Sequence, residues 1–439
     1  MTLSTKLIIS STMLPERKER FVAIDIWRGF SMVLVIMAHL LVGLYSEEIT
    51  YEKAMADPIL LIISVLSSVG PLFFFLSGAA IIIAMERMAK SGRSPRAILS
   101  KEIKRGLFLI LLGVLYDPVV YFHFGIVDTL HQIGLGNIIL ALACYGLVKR
   151  RVAQVRGDDI KAMDADREKQ GKRFVVAGFS IVILGVLFRL ATNWYPVYDP
   201  AVENLIIYVP PATTFEMFQG WITTSFFPVF PYTAYFFFGA WYALRLLRAR
   251  NELAKRKLAR FMIIAGIIAL AFAVVYELTG ESITGDLAWQ PYNLQPYWVI
   301  EMLLNIQPLT TGAFFLYLSI SLIGIGLLSI IFEVKHSEKV ANRIGTMYNK
   351  LGFGLIFNTL ARFSYNSLTI YMIQYAWIPV LRVITIATGI PLMYSINDLL
   401  LIYGIIAVAE ILFAVYVKLM ESHPKMQRFT FEQILKRIK

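Results

Sequence analysis

Charge is what this sequence has little of. Asp, Glu, Lys and Arg make up 16% of its 439 residues, where soluble domains carry about a quarter. That shortage excludes a disordered chain and an ordinary soluble enzyme, since neither could keep its surface hydrated on so few charges. There is one cysteine, Cys144, inside an apolar run, which excludes a disulfide scaffold and a cysteine-rich metal cluster. The glycine-rich dinucleotide fingerprint, the phosphate loop and the zinc HExxH pattern are missing, so nucleotide hydrolysis and zinc proteolysis have no support. At the N-terminus the apolar LIISSTML precedes the basic PERKER, the reverse of a secretory signal.

What the chain does have is apolar length. Hydrophobic residues reach 57%, and runs of about twenty, enough to cross a bilayer as a helix, recur from end to end. Ten spans are predicted, over 23–44, 59–85, 106–121, 130–148, 174–192, 223–244, 261–278, 309–332, 360–384 and 398–417. The ninth is ambiguous, because 351–363 reads equally as a separate half-helix. The expected fold class is an all-α polytopic membrane protein. It divides into an N-terminal segment 1–22, a membrane domain 23–418 and a basic tail 419–439.

The net charge of +12 is not a nucleic-acid footprint, because the basic residues crowd into alternate gaps between spans. The N-terminal segment, the even-numbered gaps and the residues after the last span, from 418 on, together hold 37 of the 42 Lys and Arg. Positive charge collects on the cytoplasmic side, so both termini are predicted to be cytoplasmic in a multi-pass cell-membrane protein. The charged stretch 149–173 reads as a solvated linker.

The first span carries the chemistry. In DIWRGFSMVLVIMAH, Asp25 lies three residues before Arg28, and Arg28 lies eleven before His39. Eleven residues bring a helix to within about 20° of a whole number of turns and raise it by ~16 Å. Asp25, Arg28 and His39 therefore share one face, with Arg28 toward the cytoplasm and His39 deeper. Ionisable groups at such depth are costly and face the protein interior. Two plainer readings stay open, in which Asp25 and Arg28 only anchor the helix at the interface and His39 is a core histidine bonded to a carbonyl. A second cluster, GIVDTLHQIGLGN over 125–137, sets Asp128 three residues from His131. Asp128 either orients that imidazole or simply caps the helix. Gly134 and Gly136 serve either close helix contact or approach of a ligand.

The arginine and histidine after an RG pair resemble the motif of the acyltransferase family 3 membrane proteins. RGFSMVLVIMAH is also similar to the start of the heparan-α-glucosaminide N-acetyltransferase family and its prokaryotic relatives. PLFFFLSGAAI (71–81), FPVFPYTAYFFFGAWY (227–242) and SYNSLTIYMIQYAW (364–377) resemble later helices of these families, the last with Gln374 where many members carry histidine. The resemblance implies an O- or N-acyltransferase. An acetyl group would pass from cytoplasmic acetyl-CoA, the acyl donor, to a sugar or glycoconjugate acceptor at the outer side, with no metal.

On that reading His39 is the base and Asp128 and His131 are further catalytic candidates. Asp25, Arg28, Lys101, Lys104, Arg105 and Gln374 are expected to hold the donor, the basic groups binding its phosphates. The expected partners are the lipid bilayer, acyl-CoA and the acceptor, with a homodimer left open. A competing class is a secondary transporter of a small anion or a proton-coupled solute, which buried His, Asp and Arg on broken helices also fit.

Overall fold

The computed structural model describes residues 21–44, 56–60, 70–120, 129–156, 160–192, 213–224, 229–279, 311–334, 353–374, 398–423 and 430–437, with isolated positions between 383 and 396 and at 427. Their regular structure is helical. The long helices are α1 (Val22–Leu44), α2 (Gly70–Lys90), α3 (Pro95–Val120), α4 (Thr129–Arg156) and α5 (Ile160–Thr192). After α6 (Thr214–Gln219) and a π-helical turn at Gly220–Thr224 come α7 (Val229–Arg248), α8 (Glu252–Thr279) and α9 (Thr311–Phe332). The chain continues through α10 (Phe353–Tyr365), α11 (Ser367–Ile373), α12 (Leu399–Ser422) and α13 (Phe431–Arg437).

Seven of these, α1, α2, α4, α5, α8, α9 and α12, are long and apolar enough to cross a membrane. Three of the ten predicted spans differ, each for a physical reason. The third is the apolar half of a longer helix, α3, whose first turns are basic. The ninth is broken at Asn366 (φ −112°, ψ 20°) into α10 and α11, which settles the ambiguity over 351–363 in favour of a separate half-helix. The sixth, α7, carries three tyrosines and a tryptophan that protein surrounds, with Pro231 to Leu244 buried without interruption. It is bent at Phe230, where the following proline disfavours helical geometry. By contrast α8 and α12 leave Ile264, Ile268, Leu400, Leu412 and other large apolar side chains exposed, the surface a bilayer would cover.

α7 packs between α2 and α5, and it meets α2 at a glycine crossing. A Cβ on Gly78 would strike the carbonyl of Phe236, and one on Gly239 would strike that of Phe75. Both obstacles are backbone, so neither can swing aside. Gly239→Ala is therefore expected to push the two helices apart and cost about 1–3 kcal/mol or more. Thermal unfolding followed by circular dichroism in detergent would register this as a lowered Tm. Gly404→Ala on α12, where nothing lies within 4 Å, is the control and should leave Tm unmoved.

The stretch expected to be a solvated linker is instead a continuation of two helices, α4 to Arg156 and α5 from Ile160. It is tied to the bundle by a buried carboxylate. Glu86 on α2 accepts from Arg151 Nε at 2.8 Å and from Arg167 Nη2 at 3.1 Å. All three side chains are at most 5% exposed. Arg167 also donates to the Leu247 carbonyl at 3.2 Å, so the ends of α2, α4, α5 and α7 meet at one ionic centre.

Candidate functional site

The predicted face of α1 is present, and α10 and α11 pack along it. The Ser364 hydroxyl points at Asp25 Oδ1 from 3.5 Å, while Gly29 lies against the Leu360 backbone. Four residues separate the contacts on each helix, so α10 runs antiparallel to α1 there. Beyond the break at Asn366, α11 turns back and carries Gln374 to the His39 side chain. Gln374 is 3% exposed. It is one of the expected donor-binding residues, and it stands beside the candidate base.

A cavity of about 340 Å³ lies among α1, α2, α3, α4, α11 and α13. Its wall on α2 runs from Phe73 to Ala84, eleven residues or ~16 Å of helix, so the space is elongated. Arg28, Arg105, Glu102, Asn137 and Glu432 are its main polar groups. Arg105 Nη1 donates to Glu102 at 2.8 Å. Burial is the largest influence on Glu102 and holds its carboxyl above the usual range, against the pull of Arg105 and Lys101. Asn137 is 8% exposed, and its Oδ1 has no hydrogen-bond partner among the described residues. A carbonyl oxygen so placed is costly unless something donates to it. The cavity therefore offers fixed cations and an amide acceptor to a long, anionic, amide-bearing ligand.

The cavity lining includes Met32 but not His39, which is seven residues farther along the same stripe. The far end of the cavity, at Phe73 and Leu130, belongs to the packed cluster that contains Leu40 and Leu41, the residues after His39. Lys101 and Lys104 are not in the lining, and Lys104 is exposed. The cation beside Arg28 is Arg105 alone of the three basic α3 residues expected there.

His131 is 1% exposed. Its ring fills the notch left by Gly113, where a Cβ would stand 2.7 Å from the imidazole Cε1. Trp221 meets the ring edge-on at 5.6 Å. Next to it, Gln132 Nε2 donates to Thr233 Oγ1 at 3.1 Å. Asp128 lies outside the described residues. Gly134 is pressed against Gly106 and Gly136 against the Phe236 ring, which favours helix contact over ligand approach for both glycines. Among the described residues no group of His, Cys, Asp and Glu could hold a metal ion.

Sequence reasoning missed Glu102, Asn137 and Glu432. Glu102 was legible as a carboxylate three residues from Arg105 on one helix face. Asn137 was the one amide in the apolar run after Gly136. Glu432, in a short helix inside the basic tail, carried no local signal.

Residues 20–154 match the family whose description is heparan-alpha-glucosaminide N-acetyltransferase, catalytic. The match covers less than half of the chain. It spans α1 to nearly the end of α4 and so contains Arg28, His39, Arg105, Asp128, His131 and Asn137. Over this segment the chain is similar to a membrane acetyltransferase catalytic domain, as the α1 motif implied. No curated protein matches the chain.

Proposed function

We propose that this protein is an integral membrane acyltransferase that moves an acetyl group from cytoplasmic acetyl-CoA to a hydroxyl or amine of a sugar or glycoconjugate at the opposite face. The observation that carries the reading is the elongated cavity with Arg28 and Arg105 on its wall, lying largely among helices of the segment that matches an acetyltransferase. The basic residues gather at the end of the bundle where α1 begins, and by the positive-inside rule that end is cytoplasmic.

The guanidinia of Arg28 and Arg105 bind the donor's phosphates, geometry that favours arginine over lysine. The pantetheine arm runs up the cavity, one of its amides donating to Asn137. His39 is the base, and Gln374 orients it. The acceptor O–H or N–H gives its proton to the imidazole as its heteroatom attacks the thioester carbonyl carbon. The C–S bond then breaks, and the proton passes to the departing CoA thiolate. His131 with Asp128 is the second candidate pair, assigned here to orienting the acceptor.

Purified protein in lipid nanodiscs, given radiolabelled acetyl-CoA and a panel of amino and neutral sugars, tests the assignment. Release of CoA thiol together with a labelled sugar is expected. Arg28→Ala should raise KM for acetyl-CoA about tenfold or more, the worth of a charge-assisted hydrogen bond, and Arg28→Lys should raise it less. An unchanged KM in Arg28→Ala, or no labelled sugar from any acceptor, would overturn the reading.

A further inference from the structure

The C-terminal helix α13 does something at the cavity that acyl transfer does not require. Among the described residues its hydrogen bonds to α11 converge on Thr369, and its Leu435 packs on the apolar cluster around the cavity. The Thr369 N–H donates to Glu432 Oε1 at 2.9 Å, and the Thr369 hydroxyl donates to Glu432 Oε2. The same hydroxyl oxygen accepts from the Phe431 N–H at 2.9 Å. These bonds hold the Glu432 carboxylate and the Leu435 side chain in the cavity wall beside Arg28. Asp25 and, more weakly, Glu432 act electrostatically on Arg28, so a second resident anion shares the cavity with the cation assigned to an anionic donor.

α13 has seven residues, and a helix that short does not persist in water by itself. Its order depends on docking, and a short terminal element of this kind lies at the low-stability end of a fold.

We propose that α13 is a displaceable plug, with Glu432 occupying the anion position of the cavity until a phosphate-bearing donor takes it. This rests on the donor site proposed above, but the plug itself can be tested without any donor. Opening exchanges the Glu432–Arg28 interaction for a phosphate–Arg28 one, while Asp25 on the same face of α1 stays in place.

Ser77 lines the cavity on α2, and Cys144 is fully buried, so Ser77→Cys introduces one reporting thiol. Its maleimide labelling rate in nanodiscs should rise about tenfold when Glu432→Gln or Thr369→Val loosens the helix, a change set by the loss of charge-assisted bonds. Thr369→Val removes both hydroxyl bonds without altering charge, while Thr369→Ser should keep labelling slow. Labelling unchanged in both loosened variants overturns the plug.

In the enzyme assay Glu432→Gln should lower KM for acetyl-CoA. A raised KM would mean that Glu432 instead holds Arg28 in its binding pose, and would also overturn the plug. Faster labelling with no acetyl-CoA consumed by any variant would leave the plug standing and remove the donor assignment.

Discussion

His39→Ala is expected to lower kcat by about 10²- to 10⁴-fold, the usual worth of a positioned general base, with KM for acetyl-CoA changed far less. The separation of effects follows from position. The cavity wall takes in Arg28 and Met32 but stops short of His39, so losing the imidazole leaves the donor's contacts intact and removes only the proton acceptor. Gln374→Leu should fall between wild type and His39→Ala. It keeps the base but releases its orientation, and small misplacements of a reacting group cost heavily.

The same assay separates the two histidines. His131 is wedged into the Gly113 notch and against Trp221, so its removal is expected to lower Tm as well as turnover. His39→Ala should lower turnover alone. Steady-state kinetics on protein shown folded by size-exclusion chromatography would decide. Wild-type kcat in His39→Ala ends the assignment of the base.

The parts of the site legible in the sequence were those governed by local geometry. Asp25, Arg28 and His39 share a face because a helix has 3.6 residues per turn, and α1 obeys that over its whole length. Gln374 was legible from the motif around it, but its role was not. Only the fold, through the break at Asn366, turns α11 back toward α1. Long-range returns of this kind have no periodic signal, and for the same reason the docking of Glu432 on Thr369, sixty-three residues apart, was invisible.

The misreading of 149–173 has a different cause. A charge count treats every arginine as a surface residue, yet Arg151 is 2% and Arg167 4% exposed. Glu86, which compensates both, lies at the end of an apolar run, where its charge looks incidental. Burial of an ion depends on its partner, and the partner here is 65 and 81 residues away.

Glu86→Gln is expected to destabilise the protein by about 3–5 kcal/mol, the cost of breaking a buried ion pair from one side. Here the cost falls at the upper end, because one carboxylate serves two guanidinia. Without its charge, Arg151 and Arg167 face each other as buried cations. Asp164, 30% exposed and 2.9 Å from Arg167, pairs with the second and acts on the first only from a distance. The exposed pair of Arg250 with Asp164 at 3.0 Å makes the comparison, since Arg250→Ala should cost no more than about 1 kcal/mol. High salt should weaken the Arg250 pair and leave the Glu86 centre nearly untouched, because buried charges escape screening.

Replacing Glu86, Arg151 and Arg167 together with leucine or methionine should recover most of the loss, since well-packed apolar groups often match a buried ion cluster. Heating each variant in detergent and following the monodisperse fraction by size exclusion gives the order. An unchanged midpoint in Glu86→Gln would show the centre to be hydrated and the helix ends held by apolar packing alone. The consequence reaches the cavity, because α2 and α4 carry Ala84 and Asn137 into its wall and are clamped beyond it by this centre. Loosening them should raise KM for the donor without moving His39 from Gln374.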